Sequence, residues 1–235
     1  RQLMTNMKYL STILICIFIF IGGCNSDDVD ADADAFIPGA GDEDYTAKDY
    51  ATDFRMWEHI EKPFADADKS GMGDRNMCWA ASAANMLTWA GWAADEDDSL
   101  DIFRAYFEDK PGYVHHALRY YFATHETGIA VEMILVRETE SHILLDFIVS
   151  AVHVDKAVAI KITNPGKRFG HFLTIYGYRY FADEDNFILY YTDSDDGLHQ
   201  MRQFKIDWND AKNRWEGQYL HRDYYLDYAL SLARK

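Results

Sequence analysis

The sequence predicts an α+β fold, with a helical first half followed by an antiparallel sheet. The first half is rich in strong helix formers with apolar residues at helical spacing. The second half contains β-branched and aromatic runs separated by turn residues. Helices grouped before strands are typical of α+β domains. At 235 residues and 49% hydrophobic content, a single core is the expected organisation.

The first residues predict an export signal rather than part of the fold. Lys8 precedes an apolar run, Tyr9 to Ile21, which is too short to span a bilayer comfortably but has the length of a signal-peptide core. It ends in Ile-Gly-Gly-Cys24, which resembles a bacterial lipobox, where the cysteine is lipidated and becomes the first mature residue. We therefore expect a lipoprotein signal peptide over 1–23 and lipid on Cys24. A plain membrane anchor or an unrelated apolar tail is the alternative.

An acidic segment follows Cys24. It is too poor in apolar residues to pack, so residues 24–44 are expected to form a flexible tether ahead of one domain over 45–235. An acidic patch in this position resembles the surface-export signal of some Gram-negative lipoproteins. The expected location is therefore the bacterial cell envelope, at the outer membrane or the cell surface, with membrane contact only through the lipid on Cys24.

Charge and motif content narrow the range of partners. The net charge of −16 argues against nucleic acid, which is bound by clustered Lys and Arg. The sequence lacks metal-ligand spacing, a phosphate-binding loop and a serine-hydrolase elbow, so neither a cofactor nor a metal is expected.

Four helices and four strands are predicted within the domain. The helices are expected at Trp79 to Trp89, buried and beginning next to Cys78, at Leu100 to Phe107, near His115 to Ala123 and near Ser141 to Val149. The strands are expected at Ala157 to Thr163, His171 to Tyr178, Phe187 to Thr192 and Met201 to Ile206.

Cys78 is the one cysteine that the mature domain would retain, since Cys16 would leave with the signal peptide and Cys24 would carry lipid. A single thiol in an exported protein is either buried and inert or kept for its chemistry. A helix N-terminus lowers the pKa of a thiol and so favours the reactive thiolate. The position of Cys78 therefore makes it a candidate nucleophile.

A histidine and a carboxylate later in the chain could complete a catalytic set. Of nine histidines, only His171 combines a preceding glycine with the start of a strongly predicted strand. Asp193 ends the next predicted strand, where its carboxylate could orient the imidazole. Taken alone, His171 could be an ordinary polar side chain, and the segment from Asp193 could be a plain hairpin turn.

Three blocks of this sequence resemble the IdeS/Mac family of immunoglobulin-degrading cysteine peptidases. The first is Cys78 to Trp89, the second is Gly170 to Tyr178, and the third is Leu189 to Asp195 with its Thr-Asp-Ser-Asp ending. Their order and spacing agree with that family. The resemblance implies a papain-like fold, in which the nucleophile helix packs on the C-terminal antiparallel sheet. The wider papain-like superfamily and the bacteriocin-processing peptidases share parts of this pattern but not Thr-Asp-Ser-Asp in this register.

The resemblance also implies roles for individual residues. Cys78 would be the nucleophile, His171 the base and then the acid, Asp193 the orienting carboxylate and Asp195 a second, supporting carboxylate. Lys62, in a Trp-x-x-x-x-Lys-x-Phe segment, would line the oxyanion hole together with the backbone N–H of Cys78. Two other cations, Lys69 and Arg75, lie closer to Cys78 in sequence and are rivals for that role.

The function that this resemblance implies is a lipid-anchored cysteine endopeptidase that forms a thioester acyl-enzyme. Its partner would be a protein or peptide substrate, with immunoglobulin as one candidate. Residues 111–156 do not align with the family, so the substrate is less well indicated than the fold and the catalytic set. An acyltransferase with the same catalytic residues and a non-catalytic surface-binding lipoprotein are the alternatives.

Overall fold

The computed structural model describes residues 16–17, 55–56, 64–70, 73–125, 131–136, 143–166, 170–181, 186–195 and 197–235. Within them it has helices α1 (Cys78–Trp89), α2 (Glu96–Phe107), α3 (Val114–His125) and α4 (Ile143–His153). The strands are β1 (Cys16–Ile17), β2 (Arg55–Met56), β3 (Met133–Val136), β4 (Ala157–Thr163), β5 (Gly170–Phe181), β6 (Asn186–Thr192), β7 (Arg202–Asn209), β8 (Arg214–Tyr219) and β9 (Arg222–Leu232). The predicted α+β class is confirmed, since helices accompany a sheet whose pairings are all antiparallel.

Most of the predicted export signal and tether, including Cys24, lies outside the described residues. The exception is β1, whose residues Cys16 and Ile17 pair with Leu135 and Ile134 of β3. In the described part of the chain, no helix is long and apolar enough to cross a membrane. The signal peptide, the lipidation and the tether remain predictions.

The longer strands form a closed ring. Along the sheet the order is β1-β3-β9-β4-β5-β6-β7-β8, and β8 also pairs with β9. Strands β4 to β9 therefore close into a six-stranded barrel, whose ring leaves no unpaired edge. The long β9 makes this possible, because its first half pairs with β8 and its second half with β3.

Strand β4 is buried on both faces of the sheet. Its alternate residues Ala157 and Ala159 belong to the core beneath α1, α2 and α3. The intervening residues Val158, Ile160 and Ile162 belong to a second core with α4. This period of two follows from strand geometry. Small side chains on the α1 side let the alanine-rich helix approach the sheet closely.

The predicted buried helix is confirmed, since all residues of α1 except Cys78 and Thr88 are buried. Helix α2 begins earlier than predicted, at Glu96, because the Asp95 side chain caps it by accepting from the N–H groups of Asp97 and Asp98. The four predicted strands are present. Five further strands in the described residues were not predicted: β1, β2, β3, β8 and β9.

Several strands begin or end at the same end of the barrel. Because the strands are antiparallel, the start of β5 lies at the same end as the end of β6, the end of β8 and the end of β4. Residues from α1, β4 and β5 line one cleft at this end.

Candidate active site

Cys78 is the first residue of α1. The preceding residue, Met77, makes no side-chain cap, and the first turn contains no acidic residue. The first N–H groups of a helix have no acceptor within the helix, so their partial positive charge faces the thiol. Cys78 is half-buried and lines a cleft.

His171 and Asp193 lie on neighbouring strands at the same end of the sheet. His171 is the second residue of β5, and Asp193 directly follows β6. His171 Nε2 lies 2.7 Å from Asp193 Oδ1 and donates to this carboxylate. That contact fixes the tautomer and leaves Nδ1 for Cys78, whose thiol is hydrogen bonded to the His171 side chain.

Asp193 is a buried carboxylate, and both of its oxygens accept hydrogen bonds. Oδ1 also accepts from the backbone N–H of Asp195 at 3.0 Å. Oδ2 accepts a short hydrogen bond from the Tyr219 hydroxyl. Burial raises the pKa of Asp193, but the bonds from His171, Tyr219 and Asp195 outweigh it, so the pKa lies below its usual value. The group is therefore held as a carboxylate.

Cys78 and His171 shift each other's pKa in opposite directions. Burial raises the pKa of Cys78, yet the hydrogen bond and charge of His171, the N–H of Phe172 and the charge of Lys69 leave it lowered. Burial lowers the pKa of His171, but Asp193 and Cys78 together raise it to about 10. Both shifts favour the thiolate–imidazolium pair over the neutral pair.

Asp195 has a different setting from Asp193. Its side chain is 44% exposed, forms an ion pair with Lys69 and lies 3.8 Å from His171 Nδ1 through Oδ2. The Lys69 ammonium also donates to the backbone carbonyl of Arg75 at 2.8 Å. Lys69 and Arg75 both line the cleft, whereas Lys62 lies outside the described residues.

Buried polar groups on α1 and on the sheet hold the segment that carries Lys69. Asn85 on α1 accepts from the Ala67 N–H at 2.7 Å and donates to Thr174 and Thr192 on the sheet. The Tyr176 hydroxyl donates to the Ala65 carbonyl at 2.6 Å. Tyr176 is skipped in the β5–β6 register, and this bulge lets its side chain reach the segment.

A second anchor is the buried ion pair of Asp74 and Arg104. Arg104 Nε donates to Asp74 Oδ2 at 2.9 Å, and Nη2 donates to the Asp68 carbonyl at 2.9 Å. Asp74 also accepts from the Ser70 N–H at 2.8 Å. The approach to Cys78 is thereby tied to α2.

A cleft of about 520 Å³ opens over Cys78 and His171. One wall is built where Gly112 lies flat against Trp79; a Cβ on Gly112 would come within 2.6 Å of the indole. The lining residues are Lys69, Arg75, Asn76, Trp79, Pro111, Gly112, Tyr113, His116, Lys161, Gly170, Phe172 and Asp195, besides the catalytic candidates.

Sequence reasoning missed Tyr219 and the Phe172 N–H. Tyr219 lies at the end of an unpredicted strand, 26 residues after Asp193. The Phe172 N–H is a backbone group, so its role depends only on where β5 begins. The signal that could have found Tyr219 is an aromatic residue just before a tight turn, which is weak by itself.

His171, Asp193 and Asp195 offer ligand atoms that all lie within 4.8 Å of one another. The contacts described above already use these groups to orient the imidazole and to pair Lys69. Neither the protein-family models nor the curated proteins compared with this chain give a match.

Proposed function

We propose that this chain is a cysteine endopeptidase of papain-like fold, with Cys78 as nucleophile, His171 as base and acid, and Asp193 as the orienting carboxylate. One observation carries the proposal: His171 bridges the Cys78 thiol and the buried Asp193 carboxylate, with 2.7 Å between Nε2 and Oδ1. Nucleophile, base and orienting group in this order are what an activated thiol requires.

Acylation would begin from the thiolate–imidazolium pair. The Cys78 sulfur attacks the scissile carbonyl carbon, a C–S bond forms, and the carbonyl π electrons move to oxygen. As the C–N bond breaks, His171 Nδ1 gives its proton to the leaving amine. The products of this step are a thioester on Cys78, a free amine and a neutral imidazole still held by Asp193.

Deacylation reverses the roles of His171. The neutral imidazole takes a proton from water, the resulting oxygen nucleophile attacks the thioester, and the C–S bond breaks. The acid product leaves, and the proton taken up by His171 restores the ion pair with the thiolate. An amine in place of water would give acyl transfer instead.

Negative charge on the carbonyl oxygen needs donors close to Cys78. The N–H of Cys78 is at the first position of α1 and has no acceptor within the helix, so it can donate to the oxyanion. Lys62 is the second donor on the family resemblance. Lys69 is one of the described cations that line the cleft, and its ion pair with Asp195 must loosen before it could serve.

The proposal extends to location and partner on the strength of the sequence. The lipobox-like segment at Cys24 supports a lipid-anchored protein of the bacterial cell envelope. The resemblance to the IdeS/Mac family supports a protein substrate and makes immunoglobulin one candidate. A non-catalytic binding protein of the same fold is the competing hypothesis.

The test is a search for new chain ends in a defined protein mixture that includes immunoglobulin. The full-length protein and its Cys78→Ala and His171→Ala variants are each incubated with the mixture, with and without a primary amine. Mass spectrometry then reads new N-termini, and any acyl group on Cys78. New N-termini that require both residues are expected, with an acyl-enzyme at Cys78.

Other outcomes separate the alternatives. Products ligated to the added amine, in excess of hydrolysis, would identify an acyltransferase. Identical peptide patterns from the unmodified protein and Cys78→Ala across the mixture would contradict a peptidase.

A further inference from the structure

Lys161 is the one charged residue of the otherwise apolar strand β4. Its side chain is 17% exposed and lines the cleft over Cys78 and His171. A lysine in a strand core normally requires a compensating contact, because burying an ammonium is costly. The contacts of Lys161 therefore indicate which role its ammonium group can have.

A β-bulge supplies that compensating contact. In the β4–β9 register Lys161 pairs with Tyr228 and Ile162 with Leu226, so Asp227 is the additional residue. Asp227 Oδ2 accepts from Lys161 Nζ at 2.9 Å and from the Thr163 hydroxyl at 2.6 Å. Bulges next to active sites commonly redirect a side chain. Here the bulge fixes the ammonium from behind.

The ammonium retains capacity for another partner. A lysine has three N–H donors, and Asp227 is the one hydrogen-bond acceptor that the described residues provide to it. The Tyr113 ring, with its centroid 5.8 Å from Nζ, adds a cation–π contact but takes no conventional hydrogen bond. Two donors therefore remain for an acceptor that enters from the cleft.

Access to this ammonium runs over Gly170. A Cβ there would lie 2.7 Å from Lys161 Cε and 2.5 Å from the Ile162 carbonyl oxygen, so a side chain at this position would press on the lysine. The Tyr113 and Phe172 rings form the sides, with centroids 5.9 Å apart at 85°. Lys161 and Gly170 line the same cleft as Cys78 and His171, so this alcove opens into the cleft that holds the reacting atoms.

The charge of the cleft agrees with an anionic guest. Its lining carries the cations Lys69, Arg75 and Lys161 and one carboxylate, Asp195. Behind the lining, Asp227 pairs with Lys161 and Asp193 with His171, so the positive charge is confined to the groups that face the cleft. The chain as a whole carries −16. Cations along the lining of a cleft favour anionic groups there.

We infer that Lys161 is a specificity-determining residue, and that the alcove it floors takes a carboxylate side chain, Asp or Glu, of the substrate next to the scissile bond. This inference rests on the proposed function. The aromatic walls would hold the aliphatic stem, and the two remaining N–H groups would bind the carboxylate.

The test compares two alkylating reagents of similar size at Cys78, iodoacetate with a carboxylate and iodoacetamide without one. In both reactions the Cys78 sulfur displaces iodide, so an S–C bond forms as the C–I bond breaks. Rates are read by mass spectrometry on the tryptic peptide 76–104, which separates Cys78 from the other thiols. In Lys161→Gln the iodoacetate-to-iodoacetamide ratio of rates is expected to fall about threefold or more.

Lys212→Gln is the matched control, because it removes the same charge from a side chain 51% exposed on the β7–β8 turn. Its ratio should equal that of the unmodified protein. If Lys161→Gln fails to fold, Lys161→Gln with Asp227→Asn removes both charges of the pair and should still lower the ratio.

The outcomes separate the two claims. Slow reaction of Cys78 with iodoacetamide would contradict the proposed function. A ratio of rates that does not change when the Lys161 charge is lost would overturn the inference about the alcove, whether Cys78 reacts fast or slowly. In the protein-mixture assay, Asp and Glu should be enriched at the positions next to the cut, and Lys161→Gln should remove this enrichment. Equal profiles would also overturn the inference.

Discussion

Tyr219 has its hydroxyl directed at the Asp193 carboxylate and its ring 5.4 Å from that of His171. Burial and the Asp193 charge raise the pKa of this phenol, so it remains a donor throughout the working pH range. The bond from Tyr219 leaves Oδ1 of Asp193 directed at His171. Tyr219 is thus a positioning residue, which would act on the thiol through two other side chains.

Tyr219→Phe should weaken the thiolate–imidazolium pair without removing any of its members. Hydrogen bonds to charged groups contribute about 1.5–3 kcal/mol, so the iodoacetamide rate constant of Cys78 near neutral pH should fall roughly tenfold. The midpoint of its pH profile should also move upward, which a loss of packing alone would not cause. The measurement is alkylation of peptide 76–104 as a function of pH.

The control is Tyr224→Phe, since Tyr224 packs edge-on against Tyr219 at 5.4 Å. This variant should keep the original pH midpoint. A Tyr219→Phe profile that superimposes on that of the unmodified protein would show that Asp193 needs no help from the phenol.

Some residues of the site could be predicted from the sequence, and others could not. Cys78, His171 and Asp193 lie in short blocks whose order suggested a common site, and the structure brings these three together. Tyr219 carries only a weak local signal and Lys161 carries none, because their contacts depend on strand pairing between distant segments. Lys62 lies outside the described residues, so its role stays a prediction.

At the level of elements, the β8–β9 hairpin presents Tyr219 through a strained turn. Leu220 and His221 have φ values of 48° and 60°, and the flanking residues Tyr219 and Arg222 pair with each other. A two-residue hairpin loop with positive φ at both positions favours Asn-Gly, because other side chains are strained there. The chain therefore tolerates a cost next to the proposed catalytic carboxylate.

Replacing this turn with the favoured residues should stabilise the protein. Leu220→Asn with His221→Gly is expected to raise the free energy of unfolding by about 1 kcal/mol, as measured by urea denaturation. Ala211→Gly is the control, because Ala211 lies in the β7–β8 turn and does not have positive φ, so glycine there should give no gain. A lower stability of the double variant would mean that the original Leu220 and His221 side chains contribute more to stability than their backbone strain costs.

Element prediction succeeded where one local pattern dominated. The alanine-rich α1 and the apolar β4, β5 and β6 have strong intrinsic signals, and all four were predicted. Strand β9 was missed because its sequence mixes Asp, Tyr and Leu, and it gains its stability from pairing with β3, β4 and β8 in turn. The barrel closure that positions Tyr219 was therefore beyond local propensity.

For the whole molecule, three cations line the cleft of a strongly acidic chain, beside the Cys78–His171 pair. Folding raises the pKa of His171 to about 10, so its stabilising contribution is fully present below the usual pKa of histidine, near 6.5, and is lost as pH rises through about 10. Folding lowers the pKa of Cys78, so its contribution is present at high pH and lost on acidification. The ion pair is therefore favoured at pH values above the lowered pKa of Cys78 and below about 10.

The most direct test of the proposed activation is the alkylation rate of Cys78 by iodoacetamide as a function of pH, in the full-length protein and in His171→Ala. Peptide 76–104 again isolates the signal. The account predicts a midpoint below the usual thiol pKa of about 8.5 in the unmodified protein, and a shift towards that value in His171→Ala, with much slower alkylation at mildly acidic pH. Two superimposable profiles with midpoints near the ordinary thiol value would contradict it.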